Sequence, residues 1–261
     1  MNKNTLFTVA VTSTLVCAAL FAGILVISVI NYINWNDFQS LLFSKEIIFA
    51  IKLSLITATI ASLLATTLAI PSAMTLSRMN FPGKNIIETL LDIPIIISPI
   101  AMGCILLIFL NNTLLGKFIE KNFISFTFEV SGIILAQFII VFALAVRILK
   151  STFDDIDVRY EKVMRTLGAN KIKSFFHCTL PMARHGILAA FILTWARAMG
   201  EFGATLTLAG ASTMKTETLP LAIHLSLAKA DVQQALTVVA VLMVFTGSGL
   251  LLVRKMAKKI L

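Results

Sequence analysis

The sequence predicts an all-α protein that crosses a membrane about six times. Of its 261 residues, 58% are hydrophobic and only 13% are charged, whereas soluble domains contain roughly a quarter charged residues. The apolar residues gather in six runs, each long enough to cross a bilayer. Because a lone strand cannot satisfy its backbone in lipid, we expect each run to be helical. The chain is short for an added soluble domain, so residues 1–261 are predicted to form a single transmembrane domain.

The predicted spans set the topology. They cover residues 6–30, 53–76, 93–110, 132–149, 186–210 and 235–253. An even number of spans places both termini on one side of the membrane. Lys and Arg are more numerous in the segments on that side, so the positive-inside rule predicts cytoplasmic termini. This bias also accounts for the net charge of +9 without nucleic-acid binding. The outer segment 111–131 either lies along the membrane surface or docks an external partner.

The longest inner loop, residues 150–185, is predicted to contain two short helices. In the first, helical spacing places apolar side chains on one face and basic side chains away from it. The apolar stripe consists of Ile156, Tyr160, Val163, Met164 and Leu167. Gly168 is the predicted stop of this helix. The second helix is expected to end at Leu180 and Pro181, because proline cannot continue the backbone ladder.

The loop resembles the cytoplasmic signature of type I, binding-protein-dependent ABC importer permeases. Gly168 is followed thirteen positions later by Pro181, with Leu180 before it, and Arg165-Thr166-Leu167-Gly168-Ala169 also fits. The usual opening Glu-Ala-Ala reads Lys162-Val163-Met164 here, which makes Glu161 a candidate to replace the glutamate. The resemblance implies a coupling helix that docks into an ATPase subunit. The implied coupling residues are Tyr160, Glu161, Val163, Met164, Arg165, Thr166, Leu167, Gly168, Ala169, Leu180 and Pro181.

Nucleotide chemistry is expected to reside in another polypeptide. The chain contains no GxxxxGK[ST] sequence, which a phosphate-cradling loop requires. We therefore predict that this chain is not itself an enzyme and holds no cofactor, and that a partner ATPase binds ATP and Mg²⁺. The three histidines are scattered along the chain, so no metal site is predicted. An alternative for loop 150–185 is a basic segment that only sets topology and lies against lipid headgroups.

The fifth predicted span carries two charges near its middle, Arg197 and Glu201. Each costs about 2.5 to 3.5 kcal/mol at a helix centre on insertion scales. Residues four apart lie on one helix face, so we expect an ion pair. With Gly200, Gly203 and Thr205, the pair marks either the translocation pathway or a subunit interface. The alternative is an ion pair that only stabilises the helix. The glycines are expected to let helices approach closely.

Residues 195–205 and 217–223 are similar to the corresponding stretches of molybdate and tungstate permeases, and less closely to those of sulfate permeases. The resemblance implies import of a tetrahedral oxyanion across the cytoplasmic membrane. An external binding protein would deliver it, two ATPase copies would drive transport, and a second permease copy would complete a homodimer. A sulfate permease is the alternative within this class. An ion-coupled secondary transporter using Arg197 and Glu201, or a membrane scaffold, are the alternatives outside it.

Overall fold

A computed structural model describes residues 3–258, except for the side chains of residues 3–6, 8–10, 36, 252–254 and 256–258. The first two and last three residues, predicted to be cytoplasmic, lie outside this range. Within it, all regular secondary structure is helical. The α-helices are α1 Lys3–Tyr32, α2 Trp35–Leu42, α3 Lys45–Arg78, α4 Lys84–Ile96, α5 Pro99–Asn112, α6 Leu114–Asn122, α7 Val130–Asp154, α8 Val158–Thr166, α9 Lys171–Ser174, α10 Leu180–Met199, α11 Gly203–Ala209, α12 Leu219–Ala228 and α13 Val232–Lys258.

The described residues contain 5 helical segments that are long and apolar enough to cross a membrane, or 6 when one bent pair is counted as a span. Four predicted spans correspond to α1, α3, α7 and α13. The remaining segment is a continuous helix over Lys171–Met199. The all-α, polytopic prediction is therefore confirmed, whereas the third and fifth predicted spans differ from the observed helices.

The third predicted span, 93–110, is broken. It is divided between α4 and α5, which meet at an angle of 114°. Ile97 and Ser98 are extended, and the Ser98 hydroxyl accepts a hydrogen bond from the Ala101 amide at 3.3 Å. Pro99 begins α5, where its missing N–H costs nothing. The sequence Ser98-Pro99 therefore starts a new helix inside an apolar run that hydropathy alone treats as continuous.

The fifth predicted span, 186–210, is also interrupted. Helix α10 ends at Met199, and α11 begins only at Gly203. Beyond α11, a segment predicted to be an outer loop contains α12, whose first four residues are buried. The Leu219 amide donates to the Ser54 hydroxyl of α3 at 2.7 Å, which fixes the start of α12 against the bundle. The end of the bundle that is predicted to face outward is thus built from short, packed helices.

Helices α3 and α7 form the centre of the bundle. A row of alanines on α3 is completely buried, and it consists of Ala58, Ala61, Ala65, Ala69 and Ala73. Small side chains at this spacing let helix backbones approach closely in a membrane, where dispersion contacts drive association. Towards the end of α7, Leu149 and Phe153 pack against the last turns of α3 and the start of α10. This cluster supports the 150–185 loop.

Segment 111–131, predicted to lie on the outer side, contains the short helix α6. Leu114, Leu115 and Phe118 on this helix are exposed. The Glu120 carboxylate accepts hydrogen bonds from the amides of Phe126 and Thr127, the latter at 2.8 Å. Burial opposes the shift, but these bonds hold the pKa of Glu120 below its ordinary value. Glu120 therefore closes the segment into a defined loop.

Candidate functional site

The 150–185 loop forms a short helix with defined ends. The Asp157 side chain accepts a hydrogen bond from the Arg159 amide at 2.8 Å and caps α8. Gly168 has φ +88°, a left-handed conformation in which glycine pays no steric penalty, and it terminates the helix as predicted. Asn170 then caps α9 by accepting from the Lys173 amide at 2.8 Å. The helix–turn–helix prediction for this loop is confirmed up to Ser174.

Three apolar side chains of the predicted stripe face outward from the chain. Tyr160, Val163 and Leu167 are 53%, 57% and 79% exposed. Met164 is partly buried beside them. The predicted placement of Ile156 in this stripe is wrong, because Ile156 precedes the cap and is 8% exposed within the bundle. The exposed stripe therefore spans one face of α8 and its C-terminal turn.

The other side of α8 is fixed to the bundle by Arg78, the last residue of α3. Its Nε lies 2.9 Å from Glu161 Oε1, and its Nη2 donates to the Ile156 carbonyl at 2.8 Å. Within the chain, Glu161 therefore pairs with Arg78, and its replacement of the missing glutamate in a partner contact stays a prediction. Arg78 was not among the predicted site residues. A lone arginine at the end of an apolar span was the available signal.

The second helix of the loop does not end at Leu180 and Pro181. The chain passes from α9 through a π-helical turn, Phe175–Thr179, directly into α10. Pro181 occupies the first turn of α10, after the wider π turn, where a missing N–H is tolerated. Leu180 and Pro181 therefore belong to the helix that enters the membrane. The loop is therefore joined to α10 by continuous helix over Lys171–Met199.

The ion pair predicted in the fifth span is present, but its geometry differs from the prediction. Arg197 Nη1 lies 2.7 Å from Glu201 Oε2. Glu201 does not share a helix face with Arg197, because α10 ends before it at Met199. Instead, Glu201 Oε1 accepts a hydrogen bond from the Ala204 amide at 3.1 Å, in the first turn of α11. A carboxylate is favourable there because the amides at a helix start are unpaired.

Further polar groups stabilise the break between α10 and α11. Gln137 of α7 is buried, and its Nε2 donates to the Ala198 carbonyl at 3.1 Å. A carbonyl at a helix end inside a membrane needs such a partner, since lipid offers none. Thr205 is also fully buried, but its hydroxyl has no hydrogen-bond partner within the described part of the chain and does not contribute to this stabilisation. Gln137 was missed from the sequence, although an isolated amide in an apolar span is a usable signal.

The glycines of this region have different environments. A Cβ added to Gly203 would lie 2.8 Å from Ile100 Cγ1 and 2.9 Å from the Ile100 backbone nitrogen, so only glycine allows this approach to α5. At Gly200 the nearest atoms are carbonyl oxygens of its own helix at 3.9 Å. The prediction of close helix approach is therefore confirmed for Gly203 and is wrong for Gly200 within one chain.

The two regions combine anchored polar groups with an exposed apolar surface. Within residues 3–258, no group of three or more His, Cys, Asp or Glu side chains is placed to hold a metal ion. The arrangement is suited to mechanical linkage. A rigidly held surface helix leads through α10 to an ion-paired break in the membrane.

The chain is similar to known transport proteins. The family model for the binding-protein-dependent transport system inner membrane component matches residues 65–260. The molybdenum transport system permease protein ModB of Haemophilus influenzae is 37% identical over 67% of this chain and 77% of its own length. The molybdate/tungstate transport system permease protein WtpB of Thermococcus kodakarensis is 32% identical over 78% of each chain.

A sulfate transport system permease protein, CysW of Synechococcus elongatus, is 36% identical over 66% of this chain and 60% of its own length. The crystal structure of a bacterial ABC transporter involved in alginate import contains a chain with a TM-score of 0.78, at 16% identity. The match covers 99% of this chain and 96% of that one, and at this identity it shows a shared fold. The chain therefore belongs to the family of binding-protein-dependent transport system inner membrane components, as an ABC transporter permease subunit.

Proposed function

We propose that this permease imports a tetrahedral oxyanion, molybdate or tungstate, which an external binding protein delivers. The choice of substrate rests on the sequence identity to permeases named for molybdenum and tungstate. The match to a sulfate permease supports sulfate as the second candidate, since sulfate is also a tetrahedral dianion. Uptake of labelled molybdate by reconstituted complex, with tungstate or sulfate as competitor, distinguishes them. Competition by sulfate at equal concentration would overturn the preference for molybdate and tungstate.

Docking of an ATPase onto α8 is supported by exposure and by anchoring. Tyr160, Val163 and Leu167 present an apolar surface that costs free energy in water. An amphipathic helix laid in a groove is a general mode of recognition. The Arg78–Glu161 ion pair ties α8 to α3, so a force applied to the stripe reaches the bundle.

A pull-down tests this docking. Leu167→Asp places a charge at the most exposed residue of the stripe, which is 79% exposed, and should abolish capture of the partner ATPase. Leu114→Asp is the matched control, because Leu114 is 93% exposed on α6, away from the loop. Equal capture of the ATPase by both variants would refute the docking proposal. Transport that needs an ion gradient and proceeds without ATP would favour a secondary transporter.

We also propose that the Arg197–Glu201 pair lies beside the translocation pathway or at the interface with a second subunit. Glu201 is 1% exposed, whereas the Arg197 side chain is 39% exposed. A charged side chain facing lipid is costly, so the exposed part of Arg197 fits a water-filled path or a protein neighbour. Pairing also weakens Arg197 as an anion trap, which suits a pathway that must release its substrate.

The proposed assembly contains two permease copies, two ATPases that bind ATP and Mg²⁺, and one binding protein, with the permease termini in the cytoplasm. Closed symmetry is the usual rule for such assemblies. Helix α1 is expected to contact lipid or a second subunit, because none of its membrane-spanning part is buried within the chain. Mass measurement of the purified complex tests the copy numbers.

A further inference from the structure

Helix α8 has a second surface, which lies away from the apolar stripe. At about 100° per residue, Arg165 projects about 160° away from Val163 and Leu167, and Lys162 lies about 100° from Val163 and about 140° from Leu167. Both cations are exposed to solvent. Lys171, at the start of α9, lies beside them along the same cavities. We call these three residues the cation cluster. The cluster is separate from the surface proposed to dock the ATPase.

The cation cluster lines two cavities of about 410 and 470 Å³. The first lies between α8 and the end of α3, and Met74, Met79 and Val158 contribute apolar walls to it. The second is bounded by the turn that joins α8 to α9. A cavity with apolar walls and a basic lining matches the chemistry of an amphiphilic anion better than that of a neutral solute.

The charge of the cluster is not balanced by nearby carboxylates. Glu161 also lines the first cavity, but its carboxylate is taken by Arg78 at 2.9 Å. Among the described residues, no carboxylate forms an ion pair with Lys162, Arg165 or Lys171. Like charges around one cavity repel each other, and a bound anion would remove that repulsion.

We propose that the cation cluster binds a tetrahedral phosphate-type oxyanion between α8 and the end of α3. Arginine matches two oxygens of such a group with its planar fork, and lysine supplies point charges. The group can belong to an anionic lipid, whose acyl chain would lie against Met74 and Met79, or it can be a free oxyanion in solution. The proposal does not depend on ATPase docking, since the two surfaces lie on different sides of α8.

The test compares wild-type protein with the triple variant K162Q/R165Q/K171Q. Lys173→Gln is the matched control, because Lys173 is exposed on α9 but lines neither cavity. The complete permease is reconstituted in phosphatidylcholine vesicles with or without phosphatidylglycerol, and retained lipid is counted by native mass spectrometry. Inorganic phosphate and tungstate are titrated separately by calorimetry. Each lost cation should weaken anion binding about fivefold, and Lys162→Arg should preserve it.

Selective retention of phosphatidylglycerol by the wild type and the Lys173→Gln control, unaffected by phosphate, would support the lipid source. Saturable binding of phosphate or tungstate without lipid, kept by the Lys173→Gln control and lost from the triple variant, would support the free oxyanion. Equal retention of both probes by wild type and the triple variant, with unchanged thermal stability, would overturn the site. Loss of ATPase capture from the triple variant without any change in anion binding would also overturn it, because the cations would then serve the protein partner.

Discussion

Replacing Glu201 by glutamine isolates the charge of the ion pair at the membrane break. The variant keeps an oxygen that can accept from the Ala204 amide, but it leaves Arg197 without its partner 2.7 Å away. Removing one member of a buried pair costs roughly 3 to 5 kcal/mol. Because the Arg197 side chain is 39% exposed, solvent screening reduces this value, and we expect about 2 kcal/mol.

A double-mutant cycle measures this coupling directly. Arg197→Gln, Glu201→Gln and the double variant are unfolded reversibly from mixed micelles by SDS, with tryptophan fluorescence as the readout. The double variant should be more stable than the sum of the single losses predicts, since no unpaired charge remains. A coupling free energy below about 0.5 kcal/mol would refute the inference that the pair neutralises a costly intramembrane charge.

Three further outcomes are expected. Gly203→Ala should destabilise the protein by about 2 kcal/mol through overpacking against α5, whereas Gly200→Ala should change little; equal denaturation midpoints would contradict this. Burial raises the pKa of Glu217 above its value in the unfolded chain, so folding favours the protonated carboxyl group. The stability that this protonation contributes is complete below the unfolded pKa and is lost as pH rises through the folded pKa. Glu217→Gln should therefore raise the melting temperature at pH 7 but not at pH 4. Arg78→Gln should increase deuterium exchange in α8 relative to α6, and no increase would exclude Arg78 as its anchor.

Much of the fold could be predicted because apolar run length and the amphipathic period are local signals. The long helices α1, α3, α7 and α13 follow from composition, and α8 follows from its stripe, the Asp157 cap and Gly168. The breaks could not be found this way. Residues 97–98 and 200–202 are short interruptions within runs that are apolar enough overall to be treated as continuous by hydropathy. At the second interruption, Gln137 of α7 satisfies the Ala198 carbonyl at the end of α10, a contact that only the folded bundle provides.

In the candidate site, too, local sequence patterns predict some features and long-range contacts decide the others. Spacing placed Tyr160, Val163 and Leu167 on one exposed face, but it also included Ile156, whose burial depends on contacts with distant helices. The sequence around Glu161 offers no sign of its partner, because Arg78, with which it pairs in the fold, lies 83 positions away. Such long-range pairs require the folded arrangement of α3 and α8. The ion pair between Arg197 and Glu201 was predictable because its members are close in sequence.

Site-specific photocrosslinking shows directly whether the exposed stripe of α8 contacts an ATPase subunit. A photoreactive amino acid replaces Leu167, at the most exposed point of the stripe, in the intact complex in native membranes. We expect a covalent product with the ATPase subunit, and none from the same probe at Leu114. Crosslinks from position 167 to lipid alone, while transport continues, would contradict the claim that a partner ATPase drives this permease through α8.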